Sequence, residues 1–175
     1  MPLAPHPDPL PVDERLDRRW IERHIRHQGR MCLLDEVLAW DLTQIRCRAS
    51  SQRLEDNPLR AHGRLGAVCA VEYAGQAMAV HGALVASLTG TRAPPGYLAS
   101  VRNLLLRVTR LDDLTEDLLV TSRRLAGDES SALYEFALGC GERELASGRA
   151  SIVFGALCAP HTRRIPDSTQ ANGRS

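Results

Sequence analysis

The longest apolar pattern in the chain runs over residues 66–88. Val68, Val71, Gly75, Ala79, Gly82 and Ala86 step by three or four along one stripe, the repeat of an α-helix. Most residues between them are Ala, Val, Met or Leu, so the helix is apolar nearly all round, which predicts a buried element. At about 1.5 Å per residue it spans about 33 Å, enough to cross a small domain. Its many Ala and Gly residues let a neighbouring backbone pack closely.

Elsewhere the period drops to two. Over 44–49, Ile45, Cys47 and Ala49 face one way and Arg46 and Arg48 the other, predicting a strand. A second strand is expected at 31–40, joined to it by Asp41-Leu42-Thr43. Ahead of both, Leu16, Trp20, Ile21 and Ile25 fall near helical spacing and predict a short helix over 13–26, capped by Asp13 and ended by Gly29. Residues 50–65 are polar and carry Asn57-Pro58 and Gly63, which reads as a loop. After Pro94-Pro95-Gly96 only strand patterns follow, at 97–108, 118–125, 132–138 and 145–157, spaced as in an antiparallel meander. One long central helix and a run of strands predict an α+β fold whose sheet curls about the helix. Five prolines in residues 1–12 predict a mobile, extended lead, and residues 159–175 lose periodicity as a loose tail, leaving a single domain over 13–158.

Composition narrows the function. A chain of 175 residues suits one domain with a real core. A formal charge of +1 gives no whole-molecule case for binding nucleic acid or an anionic membrane. All 22 basic residues are Arg. Five cysteines, an odd number with no CxxC pair, argue against a disulfide framework or a zinc site and for a reducing compartment. No uninterrupted apolar run has the length of a membrane span, and the N-terminus lacks the basic start and apolar stretch of a signal peptide. A cytoplasmic protein is expected, with no metal and no redox cofactor.

Glu72 is the candidate for chemistry. It falls one turn into the apolar helix, where an ionised carboxylate is expensive, so burial is expected to raise its pKa and keep it able to donate a proton. Gln76, one turn later, is placed to hydrogen-bond it. His81 sits half a turn away from Glu72 and reads as a satisfied core or interface histidine. His62, in the loop before the helix, is placed to fold back over its N-terminus or to sit exposed. Arg60, Arg64, Arg102, Arg107 and Arg110 straddle that loop and the strand expected beside it, forming either a solvated face or a landing site for an acidic partner. No GxSxG, P-loop, GxGxxG or HExxH pattern is present.

Several motifs agree in order and spacing with one family. His27-Gln-Gly-Arg-Met-Cys-Leu-Leu-Asp35-Glu-Val resembles the PHRxPxLLxDRV segment of bacterial 3-hydroxyacyl-ACP dehydratases of the hotdog fold. Val71-Glu72-Tyr-Ala-Gly-Gln76-Ala-Met-Ala is similar to their LIxEAxAQ helix, whose Glu is the catalytic acid. Tyr97-Leu-Ala-Ser-Val-Arg-Asn103 is similar to their YLxxIxNxRF strand, and Glu144-Leu-Ala-Ser-Gly-Arg-Ala fits the last one. Within residues 24–157, the stretches around Asn57–Leu65 and Glu72–Gly82 look closer still to dehydratase-like proteins encoded with aryl-polyene and xanthomonadin-type pigment synthesis.

The resemblance implies a hotdog dimer, homomeric or with another hotdog protein, that dehydrates 3-hydroxyacyl thioesters on acyl carrier protein to trans-2-enoyl thioesters. It implies Glu72 as the acid, and the helix N-terminus suggests backbone N–H groups near Gly66 and Ala67, with Gln76, as substrate contacts. The five arginines named above would form a basic rim for the acidic carrier protein. The chain departs from the pattern at the family's base histidine, fourteen residues before the Glu, where it has Pro58. His62 then substitutes as base, or another subunit supplies it, or the chain is a non-catalytic partner of a true dehydratase. A hotdog thioesterase is a further alternative.

Overall fold

In a computed structural model the described residues are 16–155. The Pro-rich lead, Asp13, the tail and Cys158 lie outside them. The first helix, α1 (Arg18–His24), is capped by Asp17, whose side chain accepts the Trp20 N–H at 3.0 Å. The expected helix at 13–26 is thus shorter among the described residues, but its apolar positions Leu16, Trp20, Ile21 and Ile25 are buried as a group.

Gly29, at φ +55, opens a 3-10 turn (Gly29–Met31) that sends the fully buried Cys32, Leu33 and Leu34 under the long helix. The strand expected at 31–40 therefore starts only at Glu36. The Leu33 N–H and Met31 carbonyl are spent on the side chain of Gln76, at 2.8 Å each, in place of a strand partner. The strands are β1 (Glu36–Trp40), β2 (Gln44–Ala49), β3 (Gly96–Leu106), β4 (Leu118–Gly127), β5 (Ser131–Cys140) and β6 (Arg143–Phe154). They form one antiparallel sheet in the order β1-β2-β4-β5-β6-β3. The tight turns fit their residues: the Asp41 carboxylate accepts the N–H groups of Thr43 and Gln44, and Asp128 does the same for Ser130 and Ser131.

One expectation about order fails. Strands β4 to β6 form the meander, but β3 pairs with β6 at the far edge and not with β4. The segment between β2 and β3 is the long helix, which crosses the inner face of the sheet and delivers the chain to the opposite edge.

That helix, α2 (Ala70–Ser87), follows a 3-10 turn over Ala67–Cys69. It packs on β2, β4 and β5 and buries Ala70, Tyr73, Ala74, Ala77, Val80, Ala83 and Leu84. Tyr73 also ties down the preceding loop through Ser51 Oγ at 2.9 Å and Asn57 Nδ2 at 3.2 Å. The helix expected to be buried nearly all round leaves one stripe uncovered. Val68 is 59% exposed, and Gly75, Ala79 and Gly82 are not buried. An all-apolar helix gives no pattern from which to choose a face. By length and mean hydropathy, Ala67–Ser87 matches a membrane span, and half of it is buried inside this fold. The architecture is the hotdog arrangement that the resemblance implies.

Candidate active site

Glu72 lies in the first turn of α2 at the edge of its open face. Its carboxylate accepts a hydrogen bond from Gln76 Nε2 at 3.0 Å and meets His27 Nε2 at 3.1 Å. Gln76 has no exposed surface, and its amide is fully used by Leu33 N–H, the Met31 carbonyl and Glu72. It fastens the 27–33 segment to the helix and so sets where His27 falls. This corrects the expectation that Gln76 contacts substrate: it is fully buried and does not line the cavity beside Glu72.

The expected electrostatics reverse. The hydrogen bond from His27 holds the Glu72 carboxyl below its usual range, against the opposing pull of burial, and Gln76 acts in the same direction. The Glu72 side chain is 37% exposed, so burial is too weak to win. The direction of the shift favours the carboxylate form of Glu72 over the protonated one. With Nε2–H donated to it, the Nδ1 atom of His27 is buried and has no hydrogen-bond partner among the described residues.

A cavity of about 580 Å³ opens beside this pair. Its floor is the open face of α2 from Val71 to Gly82, and its walls are residues 23–27 and 92–98, with Tyr134, Ile152 and Phe154 behind. It is mostly apolar, with Glu72 and His27 near one end of the helix stretch and Arg23, Arg26 and Arg92 on its lining. Arg26 donates to the Tyr97 hydroxyl at 3.4 Å and lies over its ring, linking the two walls.

The other predicted residues fall elsewhere. His62 is exposed, at φ +52 in a tight turn closed by mutual hydrogen bonds between Ala61 and Arg64, and it does not line the cavity. Exposed and off the cavity, His62 is not placed as the base. Gly66 and Ala67 do not line the cavity either, and the Ala67 N–H is committed to the Thr109 carbonyl at 3.1 Å. Of the five arginines, Arg60 and Arg110 converge on Asp112 and Arg107 pairs with Glu144 at 3.0 Å. Asp112 is accordingly held well below the usual carboxylate range, chiefly by Arg110. Only Arg64 and Arg102 of that group are exposed without an ion pair among the described residues. His81 is fully buried between the Tyr134 hydroxyl and the Asp41 carbonyl, both at 2.9 Å, as a satisfied core histidine should be. Its pKa is lowered by desolvation, and Tyr134's is pushed up to about 12.

The residue missed by sequence reasoning is His27. It stands at the head of the quoted His27–Asp35 motif, and a histidine there with a buried glutamine one helical turn after Glu72 was the available signal.

Fold and site together define a hotdog-fold protein with a His–Glu contact beside an apolar cavity. Solved structures agree on the fold. A dehydratase heterocomplex, ApeI:P from Xenorhabdus doucetiae, matches with a TM-score of 0.69 at 20% identity, over 78% of this chain and 91% of that one. Zebrafish thioesterase superfamily member 2 matches with a TM-score of 0.54 at 16% identity, over 79% and 95%. No curated protein matches the sequence. The model of the ApeP-like family, ApeP dehydratase, matches residues 19–157, and the chain belongs to that family of dehydratases.

Proposed function

We propose that this chain dehydrates 3-hydroxyacyl thioesters, presented on acyl carrier protein, to trans-2-enoyl thioesters, with Glu72 as the proton carrier and His27 as the group that keeps it ionised. The observation that carries this reading is the His27–Glu72 contact beside an apolar cavity in a member of a dehydratase family. The Glu72 carboxylate takes the C2 proton as the enolate forms. The carboxylic acid so made returns the proton to the 3-hydroxyl as the C3–O bond breaks. Water and the enoyl thioester leave, and Glu72 is again a carboxylate. The proton balance closes within one side chain, so no second base at position 58 or 62 is called for. Aryl-polyene-type pigment synthesis, or fatty acid synthesis, is the setting that the resemblance implies.

The test is turnover of a 3-hydroxyacyl thioester by purified protein. Glu72→Gln should lower the rate by about 10²–10⁴-fold with the fold intact. Undiminished turnover in that variant removes Glu72 from the mechanism. His62→Ala should leave the rate unchanged.

A hotdog partner is part of the proposal. Strand β3 is a sheet edge with Leu98, Leu105 and Leu106 exposed, and its first residues form one wall of the cavity. A second hotdog chain adding to that edge would cover the leucines and complete the wall. The similar ApeI:P structure is a heterocomplex, which favours a partner of different sequence. If the homomer is inert and a mixture with a second hotdog protein is active regardless of Glu72→Gln, this chain is the supporting subunit. A thioesterase reading has only the shared fold behind it. Free thiols at Cys32, Cys47, Cys69 and Cys140 support a cytoplasmic location.

A further inference from the structure

Gly75 and Gly82 stand inside α2, where glycine costs a helix more backbone freedom than alanine does. The usual reasons for keeping it there are missing. Neither has a positive φ, and a Cβ at either would meet no atom of another element within 4 Å. Both line the cavity, with Ala79 between them. At 100° per residue, the lining positions from Val71 to Gly82 fall within about 120° of the helix circumference, so they make one continuous floor that includes Glu72. Gly82 lies ten positions beyond Glu72, about 15 Å along the helix axis. Tyr97, Tyr134 and Phe154 also line the cavity. The cavity is mostly apolar, and a side chain added at Gly75 or Gly82 would enter open space along it.

We infer that Gly75, Ala79 and Gly82 are specificity-determining residues: they let an extended acyl chain lie along α2, and Gly82 governs the longest chain the site accepts. The inference rests on reading the cavity as the acyl site of the proposed dehydratase. With C2 and C3 held at Glu72, a short chain ends before the third turn, whereas an extended chain of hexadecanoyl length spans the distance of about 15 Å to Gly82. Side-chain carbons added at Gly82 therefore compete with the far end of a long chain alone, and carbons added at Gly75 compete with every chain.

The experiment uses the full chain together with any hotdog protein that co-purifies. Butyryl-length and hexadecanoyl-length 3-hydroxyacyl pantetheine thioesters are compared in wild type, Gly82→Ala, Gly82→Val and Gly75→Val. In Gly82→Val the ratio of long-chain to short-chain kcat/KM should fall by about tenfold or more, the scale on which a pocket senses a few methyl groups. Gly82→Ala should shift the ratio less and melt about 2–4 °C higher, since the helix gains and nothing is displaced. Gly75→Val should lower both substrates together. Equal losses for both chain lengths in Gly82→Val, or an unchanged ratio, overturn the inference. So does loss of oligomeric assembly in Gly82→Ala and Gly82→Val, which would mean that a partner's side chain fills the space. Binding of non-hydrolysable amide analogues of the same two lengths, followed by calorimetry, separates the two readings. If no variant or wild type dehydrates anything but Gly82→Val still loses affinity for the long analogue selectively, the dehydratase reading fails and the chain-length role stands.

Discussion

His27→Ala is the perturbation that tests the site most directly. It removes the N–H that the Glu72 carboxylate accepts at 3.1 Å and leaves only Gln76. A hydrogen bond to a charged group contributes about 1.5–3 kcal/mol when sheltered. Here the two side chains are 34% and 37% exposed, and solvent screening brings the contribution to about 1 kcal/mol. For a domain of this size that is a fall in Tm of about 2–4 °C. The sign of the pH effect follows from the direction of the shift. Glu72 is depressed in the folded chain chiefly by His27. The stability it adds is present above the ordinary carboxylate range and lost as pH falls through it. The Tm difference between wild type and His27→Ala should therefore shrink in acid. The catalytic effect has the same origin. Glu72 accepts a proton only when ionised, so the acid limb of the kcat/KM profile reports its titration in the free enzyme. Loss of His27 raises the Glu72 pKa and moves that limb to higher pH, and His27→Gln, which can restore an N–H donor, should move it back. An acid limb that stays in place in His27→Ala would refute the reasoning, as would one that persists in the residual activity of Glu72→Gln.

Three further outcomes are expected. Asp112 is nearly fully buried and receives Arg60, Arg110 and the Leu65 N–H, so Asp112→Ala should cost about 2–3 kcal/mol in urea unfolding and loosen the loop ahead of α2. The Tyr134 hydroxyl donates to Nδ1 of His81, because Nε2–H is held by the Asp41 carbonyl; Tyr134→Phe leaves a buried acceptor unpaired and should lower stability by about 1–2 kcal/mol in the same assay. Charge reversal at Arg64 and Arg102 should raise KM for acyl carrier protein substrates and mimic added salt, while a small pantetheine substrate is handled as before; equal losses with both would point to a folding defect.

Much of this molecule follows from its residues taken in order. The all-apolar run at 66–88 dictates a central helix, and the alternation of Ile45, Cys47 and Ala49 dictates a strand with one buried face. A lone carboxylate in such a helix singles out Glu72 as the candidate for chemistry. These are local facts, set by periodicity and by the price of burying particular groups.

What the sequence could not decide is which groups meet. Strand β3 follows the helix and so pairs with β6 at the far edge, a matter of where α2 ends and not of any pattern in 97–108. A helix apolar on every side carries no mark of the face that will meet the sheet, and the face with Gly75 and Gly82 lines the cavity instead. His62 is nearer to Glu72 along the chain, but it is exposed and does not line the cavity. His27 is 45 residues away and arrives because Gln76 captures Met31 and Leu33. Its arrival reverses the expected shift of Glu72, since a hydrogen bond to the charged form outweighs the desolvation that sequence position alone suggests. Burial and composition are properties of a segment, whereas a carboxylate's charge state depends on its nearest donor, and that donor is supplied by tertiary structure.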